Sequence, residues 1–415
     1  MKFLKDLTRN SRVCIMVEPM WAVFGGLIFF YAPLYMESIG LTPIEIGLVS
    51  TATIFVNFIC NLFASSIVNR LGRRRTSLIF DLISWSIPML IWAIAQNFWY
   101  FLVAALINGF VRIVHVSWFL LLSEDAENHQ RSKIFGIINL INFASGLMAP
   151  LTGLLISRYS TIPVIRVLYG AGMLSMTLMF FLRNAFTTET KNGLEMIKKH
   201  ESLLFRHGLS NYFQMMRKIV THPYLLRVQI IYILTTFLQS MSFVLVLYYS
   251  NQLAHTEQSL SIIPGASALV NLFLFIVVLP RISKFKEEKN LAFSFLISIA
   301  GIILLFFIPA NNLLILLIST SLLAVGTFIH LTFRDTLFMN NVEESEKADA
   351  FSAIQNVSTL AVIPAGVLTG FFYSIIPQLP FMIMLVLMIS AFLISLSLLK
   401  QNPVRLSAVA LDNEA

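Results

Sequence analysis

Charged residues are scarce in this sequence. Lysine, arginine, aspartate and glutamate together make up 12% of its 415 residues, whereas 57% are hydrophobic. Soluble domains carry about 25% charged residues. The stretch from Leu82 to Val111 has no charged side chain, and a helix crosses a bilayer with about 20 apolar residues. The composition therefore argues against a soluble globule and indicates a chain surrounded largely by lipid.

Cysteine is almost absent as well. Cys14 and Cys60 are the two cysteines, and both lie in or beside apolar runs, so we predict no disulfide framework and no metal site. The Gly-x-x-x-x-Gly-Lys-Ser/Thr loop of nucleotide-binding proteins is missing, which argues against an ATP-driven pump. No Ser-His-Asp arrangement or cofactor motif stands out. We therefore expect neither an enzyme nor a bound cofactor.

The sequence contains long runs of apolar residues that are free of charge. They predict an all-α membrane protein with twelve spans at about 13–36, 44–68, 76–95, 99–122, 134–157, 163–182, 224–250, 260–280, 289–309, 313–340, 348–374 and 381–399. A polar stretch divides the spans six and six. The predicted organisation is an N-terminal bundle at 1–183, a cytoplasmic linker at 184–223, a C-terminal bundle at 224–400 and a cytoplasmic tail at 401–415.

The basic residues are concentrated in alternate loops. The net charge is +8, but this clustering between spans does not form the basic face that binds nucleic acid. Basic loops face the cytoplasm, so both termini are predicted to be cytoplasmic. In the linker, Leu194–Phe205 and Tyr212–Ile219 have the apolar spacing of amphipathic helices on the inner membrane surface; a flexible linker is an equal alternative.

The two predicted bundles share residues at a fixed spacing. An offset of 214 places Val56-Asn57 on Val270-Asn271, Arg70 on Lys284, Lys133 on Lys347, Asn142 on Asn356 and Pro150 on Pro364. Five polar or proline coincidences at one offset indicate two pseudo-symmetric halves that arose by duplication. In transporters built this way, the site lies between the halves near the membrane midplane.

The loop after the second span resembles a signature of the major facilitator superfamily of secondary transporters, G-x-x-x-D-R-x-G-R-R/K. The aligned residues are Ser65, Asn69, Arg70, Gly72, Arg73 and Arg74. Ser65 replaces the first glycine and Asn69 replaces the aspartate. In the family, that aspartate helps to lock the two halves together on the cytoplasmic side. The resemblance implies either a weaker lock in this chain or a substitute role for Asp81.

Two further motifs resemble the same superfamily. In the fourth span, Arg112 matches the arginine of R-x-x-Q-G, while His115 and Val116 replace the other two residues. The family often ties this arginine to proton coupling. In the fifth span, the drug–proton antiporter signature G-x8-G-x3-G-P-x2-G-G is matched by Gly136, Pro150 and Gly153, approximated by Ser145 and Ala149, and broken at Leu154. The resemblance implies the twelve-helix antiporter branch and favours export.

Glu18 and Arg112 are charged residues inside predicted spans, where charges are costly and are functional candidates by default. We predict that they pair at similar depths, so that a proton or a cationic substrate on Glu18 frees Arg112. Two alternatives stay open. In the first, Glu18 and Arg112 form a fixed ion pair that only holds the two helices together. In the second, Glu18 lies near the inner interface and is hydrated.

Other polar or aromatic residues in the spans are candidates for a substrate cavity or a proton relay. They are Trp21, His115, Asn142, Gln239, His330 and Asn356. His115 shares a helix face with Arg112, and histidine suits proton relay because it titrates near neutral pH. For each of them, ordinary packing or hydrogen bonding between helices is the competing interpretation. Arg334 and Asp335 are expected to lie towards the inner end of the tenth span and to pair there or with the inner loops.

The combined prediction is a monomeric, proton-coupled secondary transporter that exports small amphipathic or cationic compounds by alternating access. Short outer loops suit a bacterial inner membrane. One alternative is an uptake carrier for a sugar or another nutrient on the same fold, although few polar residues are available to line its cavity. The other is a non-transporting membrane sensor or a lipid scramblase.

Overall fold

The computed structural model describes residues 6–199, 217–342 and 347–399, and all regular structure in these ranges is helical. Within these ranges, twelve helices are long and apolar enough to cross a membrane. Labelled α1 to α12, they are Arg9–Ser38, Pro43–Leu71, Arg73–Ala93, Phe98–Ser123, Lys133–Tyr159, Thr161–Phe186, Pro223–Asn251, Glu257–Ile282, Glu287–Leu305, Leu313–Phe338, Ala353–Ile375 and Leu379–Leu399. The predicted all-α fold with twelve spans is confirmed.

Several spans begin at residues whose side chains cap a helix. Thr42 and Glu45 form a reciprocal capping box before α2, with Pro43 as the first helical residue. The side chain of Asn97 accepts from the N–H of Trp99 at the start of α4, at 3.1 Å. These caps satisfy backbone donors that the helix itself leaves free, which fixes where the spans start.

Many spans are interrupted near their middle. α1 contains a 3-10 turn at Phe29–Tyr31, and α5 contains one at Gly146–Met148, just before Pro150. α3 contains a π turn at Leu82–Ser86, and α8 contains another at Leu274–Val278. Proline removes a helical N–H, and π turns often occur at functional sites. The residues beside these interruptions are therefore candidates for a functional site.

The chain forms two compact units. Unit 1 comprises Met1–Leu203 and Thr256–Leu269, and unit 2 comprises Leu204–His255 and Val270–Ala415. In unit 1, one apolar core surrounds Cys14 and Ile134 and another surrounds Val68 and Ile113. In unit 2, a core surrounds Tyr232 and Phe295. Each unit thus buries apolar surface of its own.

Apolar side chains also remain exposed along the spans. On α6, Val167, Leu174 and Leu178 are all exposed and lie on one helix face. Such a stripe is unfavourable in water and suits contact with lipid chains, because lipid is as apolar as leucine. The protein is therefore a multi-pass membrane protein.

Part of the predicted linker belongs to unit 1. A short helix at Lys191–Lys199 lies where the first of the two amphipathic helices is predicted, beginning three residues earlier. Residues 200–216, which include most of the second, lie outside the described residues, as does the tail at 401–415. The predicted bundle boundaries stay a prediction.

Candidate functional site

The first span bends at a buried glutamate. α1 is interrupted at Glu18, because Pro19 follows it and has no N–H to continue the helical hydrogen bonds. The Glu18 side chain is buried, and its Oε2 has no hydrogen-bond partner in the described part of the chain. Buried polar atoms without partners are uncommon. This oxygen is therefore a candidate position for a proton or a ligand.

A buried arginine from α6 lies near Glu18. Arg183 forms an ion pair with Asp81 of α3 and donates to Ser77 Oγ at 2.8 Å. The side chains of Arg183 and Asp81 are 4% and 3% exposed, and the charge of Arg183 acts on Glu18. We call Glu18, Asp81 and Arg183 the charged cluster, to which three spans contribute.

Sequence reasoning missed Arg183. It ended the sixth span at Leu182, so that the arginine was the last residue of the predicted bundle and lay outside its helices, whereas the structure continues α6 to Phe186. The apolar residues directly before Arg183 were the available indication that it remains within the helix. Asp81 was predicted as a substitute lock; in the structure its carboxylate binds Arg183 and Ser77 of its own unit.

Three aromatic side chains lie one helical turn or more along from the charged cluster. Trp21 packs edge-on against Trp85, with 5.5 Å between ring centroids, and lies 5.7 Å from Phe29. Phe29 and Trp85 stack at 5.8 Å. We call these three residues the aromatic triad. Trp21 follows Glu18 by three residues, and Trp85 follows Asp81 by four across the π turn. These two rings therefore lie about one helical turn from the charged cluster along α1 and α3.

The π turn of α3 positions Trp85, which sequence reasoning also missed. The turn covers Leu82–Ser86, and the amide of Asn108 donates to the carbonyl of Ser84 at 2.7 Å. An inserted side chain of this kind supports a disturbed helix. Trp21 and Trp85 are half-buried and Phe29 is exposed. The triad is therefore not fully enclosed by the protein.

The predicted pair between Glu18 and Arg112 is not formed in this structure. Arg112 Nε donates to Asn61 Oδ1 of α2 at 2.6 Å, and Glu18 lies in the field of Arg183 instead. The reason is the close packing of α4 on α2, where Gly109 lies directly against Val56. Arg112 follows three residues later and reaches the amide on α2. His115, the next predicted residue on this helix, is exposed.

The signature loop after α2 forms a network at one end of unit 1, which we call the basic end. Gly72 has a φ of +83°, a conformation that glycine adopts without strain. The guanidinium of Arg73 binds Glu124 through two hydrogen bonds of 3.0 and 3.1 Å, and Arg74 Nε donates to the carbonyl of Asn184 at 2.7 Å. Arg70 is exposed and Asn69 is half-buried. The basic motif thus joins α3 to the ends of α4 and α6.

The segment after α6 is fastened to the same end. The Glu189 carboxylate accepts from the backbone N–H groups of Arg73 and Arg74 at 2.9 and 3.0 Å, where a negative charge complements the start of α3. Thr188 and Asn10 exchange two hydrogen bonds, each of 2.9 Å. The first residues of the predicted linker are therefore fixed to unit 1 at both α1 and α3.

Gly153 of the α5 signature and Gly146, which is not part of the signature, lie at close helix contacts. A side chain at Gly153 would overlap Ser261, and a Cβ at Gly146 would lie 2.9 Å from the carbonyl oxygen of Pro264. Both partners are on the start of α8, which belongs to the same compact unit. Small residues permit this approach, and Pro150 follows the 3-10 turn. Gly136, nearer the start of α5, is half-buried.

Unit 2 has a polar cluster of its own. The guanidinium carbon of Arg334 lies 3.9 Å from the ring centroid of Tyr232. Arg334 donates to Thr235 Oγ1 at 2.7 Å and to Asp335 Oδ1 at 3.0 Å, and the Tyr232 hydroxyl donates to the same Asp335 oxygen at 2.6 Å. The expected pair of Arg334 and Asp335 is present, and it joins α7 to α10.

The other predicted site residues occupy different environments. His330 is 3% exposed, stacks on Phe295 with 5.2 Å between ring centroids, and has no partner for Nδ1 in the described part of the chain. Asn356 is equally buried and has a side-chain oxygen without a partner there. Asn142 and Gln239 are exposed. His330 and Asn356 are thus enclosed by unit 2, whereas the two exposed amides are not.

The sequence model of the Major Facilitator Superfamily matches residues 19–366. The chain is similar to the multidrug resistance protein MdtG of Salmonella paratyphi A, with 27% identity over 180 residues that cover 41% of this chain and 43% of that protein. The matched part thus spans less than half of MdtG. It is also similar to the quinolone resistance protein NorA of Staphylococcus aureus, with 22% identity over 302 residues that cover 72% of this chain and 74% of NorA.

Solved structures share the fold. The nucleoside transporter NupG has a TM-score of 0.68 at 13% identity, covering 95% of this chain and 99% of NupG. The human organic anion transporter MFSD10 has a TM-score of 0.65 at 14% identity, covering 93% of this chain and 99% of that one. Twelve apolar helices and a family match across most of the sequence lead to one conclusion. The chain belongs to the Major Facilitator Superfamily and is a membrane transporter rather than an enzyme.

Proposed function

We propose that the protein exports small amphipathic or cationic compounds in exchange for protons, by alternating access. The observation that carries the proposal is the Glu18 carboxyl group, buried within α1 with one oxygen unpartnered in the described residues. An ionisable group inside a span marks a substrate or proton pathway. Asp81 is bonded to Arg183, so Glu18 is the member of the charged cluster that remains open to exchange.

Glu18 and the aromatic triad together suit a lipophilic cation. Cations are attracted to the faces of tryptophan rings by about 0.5–2 kcal/mol, depending on exposure to water. Trp21 lies one turn from the carboxyl group, so a bound cation can contact a ring face and the carboxylate. A proton and the cation then compete for one group, and this competition couples their opposite movements.

The relatives support export rather than uptake. MdtG is named as a multidrug resistance protein and NorA as a quinolone resistance protein. Both are bacterial proteins, which supports a bacterial inner membrane as the location. The identities of 27% and 22% are low, so the substrate of this chain has to be found by experiment.

The experiment measures proton release from proteoliposomes when lipophilic cations such as tetraphenylphosphonium or ethidium are added. Wild type is compared with Glu18→Gln, which keeps the shape of the side chain and removes its titration. The matched control is Glu195→Gln, an exposed carboxylate on the short helix outside the spans. We expect coupled release in wild type and the control, and at least a tenfold lower rate in Glu18→Gln, since removal of a proton-transfer group costs about 10²–10⁴-fold.

Two outcomes would contradict the proposal. Equal proton release by wild type and Glu18→Gln makes Glu18 structural and moves the search for a coupling group to His115 or His330. No proton movement with any cation removes drug export itself, and a panel of sugars and nucleosides then tests nutrient uptake.

A further inference from the structure

Arg112 is a cation in the middle of a span without an anion of its own. It lies 14 residues from the start of α4 and 11 from its end, about 21 and 16 Å at 1.5 Å per residue. In the described residues its guanidinium makes one hydrogen bond, from Nε to the neutral amide of Asn61 at 2.6 Å. No carboxylate in that part of the chain forms an ion pair with it.

Two other arginines within the spans are neutralised by the protein, whereas Arg166 and Arg227, near the starts of α6 and α7, form no ion pair in the described residues. Arg183 has Asp81, and Arg334 has Asp335. A neutral amide satisfies one N–H of Arg112 but leaves the charge uncompensated, and a lone charge away from water is costly. Arg166 and Arg227 lie within two helical turns of a span end, but Arg112 does not. The position of Arg112 at the centre of its span therefore favours an anion from outside the protein.

The polar residues one helical turn from Arg112 and from its partner Asn61 carry no negative charge. Asn57 lies one turn from Asn61 on the same face of α2, and its side-chain oxygen is buried without a partner in the described residues. An amide can present either an acceptor or a donor to a ligand. His115, one turn along α4 from Arg112, is exposed. The two terminal nitrogens of the guanidinium remain available, and their geometry matches the two oxygens of a carboxylate.

The same face of α4 becomes apolar beyond these residues. Phe119 follows His115 by one turn, is 50% exposed, and stacks on Phe135 at 5.0 Å. The face therefore runs from a charged group through a polar group to exposed aromatic surface. An amphipathic acid has the same order of properties, with an anionic head and an apolar body.

We propose that Arg112, with Asn57 and Asn61, binds the carboxylate or a similar oxyanion of an amphipathic organic acid. The site goes beyond the proposed export function, because binding of this group depends neither on the direction of transport nor on proton coupling through Glu18. The same chemistry is offered by a soluble organic acid and by the phosphate of an anionic lipid, and the experiment separates these sources.

The probe is 2-naphthoate, and naphthalene-2-carboxamide is its uncharged counterpart. Equilibrium binding is measured on the full-length protein in nanodiscs of zwitterionic lipid. We expect wild type to bind naphthoate more tightly than the carboxamide. Arg112→Gln is expected to weaken naphthoate about tenfold or more, because hydrogen bonds to charged groups are worth that much in affinity. Carboxamide binding is expected to stay unchanged. Arg158→Gln, at an exposed arginine near the end of α5, is the matched control and is expected to bind both probes like wild type.

A second variant keeps the test decisive if Arg112→Gln does not fold. Asn61→Asp supplies the internal carboxylate that Arg112 lacks, with almost no change in shape. It is expected to fold and to reduce naphthoate affinity to a similar extent, because the new carboxylate occupies the guanidinium. If wild type binds both probes equally, or if Asn61→Asp binds naphthoate like wild type, the proposal is overturned.

Native mass spectrometry of the purified protein identifies the source of the anion. Anionic lipid retained by wild type and lost in Asn61→Asp assigns the site to a lipid phosphate. Equal lipid retention, together with the tenfold loss of naphthoate, assigns it to a soluble acid. Failure of Glu18→Gln to alter proton release leaves these binding results untouched, so the two proposals fail separately.

Discussion

Asp81→Asn removes the carboxylate that neutralises Arg183 in the charged cluster. Both side chains are less than 5% exposed, so water cannot take the place of the lost partner. Removing one member of a buried ion pair costs about 3–5 kcal/mol. Ser77 still bonds to Arg183 and Glu18 still lies in its field. We therefore expect the lower end of that range, about 3 kcal/mol of unfolding free energy.

The assay is unfolding of the purified full-length protein in mixed micelles with increasing denaturing detergent, followed by tryptophan fluorescence. The double variant Asp81→Leu/Arg183→Met removes both charges, and replacing a buried pair by apolar residues is often neutral. We expect it to recover most of the loss, which a double-mutant cycle quantifies. Asp125→Asn is the control, because Asp125 is exposed and, in the described residues, its carboxylate accepts one hydrogen bond, from the N–H of Lys191 at 3.2 Å.

The argument is refuted if Asp81→Asn unfolds like wild type to within about 1 kcal/mol, which is small beside the loss expected for a buried pair. It is also refuted if the double variant is as unstable as the single one. In the second case, the lower unfolding free energy is caused by altered packing around residue 81 rather than by the unpaired charge of Arg183.

Two further predictions concern turns outside the spans. Gly72→Ala is expected to destabilise the protein by about 1–3 kcal/mol, because φ is +83°. The loss of unfolding free energy is expected to exceed that of Gly40→Ala, where φ is +104° and no atom lies within 4 Å of the added methyl. At Gly72 the methyl meets Glu189 and Ile197. Equal losses of the two variants in the detergent titration would contradict the expected steric clash. Burial lowers the pKa of His255, between α7 and α8. Since the unfolded chain then binds more protons, stability is complete above the unfolded pKa of about 6.5 and declines as the pH falls below it. His255→Gln is expected to reduce the difference in unfolding free energy between about pH 7.5 and about pH 5.5, and an unchanged difference would show that another group is responsible.

Apolar runs predicted the twelve spans because lipid imposes one requirement on every helix that crosses it. A spanning helix needs about 20 apolar residues and satisfies its own backbone. Predicted ends differed by a few residues where caps and charges extend helices, as at Phe186, four residues beyond the predicted end of α6. Hydropathy excluded Arg183 from its helix, although a buried carboxylate allows an arginine to remain inside.

The site was predicted less completely, because side-chain pairing depends on packing. Glu18 and Arg112 were both identified as unusual charges, yet the sequence does not state that Gly109 brings α4 against α2 at Val56. That contact directs Arg112 to Asn61. Trp85 was missed for a similar reason, since a π turn shifts the helix face on which later residues lie, and periodicity assumes a regular helix.

The hydrogen bonds that hold Thr188 and Glu189 against unit 1 affect the order in which the protein can fold during synthesis. Apart from the N–H of the neighbouring Thr190, the hydrogen-bond partners of Thr188 and Glu189 in the described residues are Asn10, Arg73 and Arg74, which all precede the segment in the chain. Synthesis runs from the N-terminus, so these bonds can close before α7 leaves the ribosome. The basic end of the first six helices is thus able to assemble during translation, while the second six are still to be inserted.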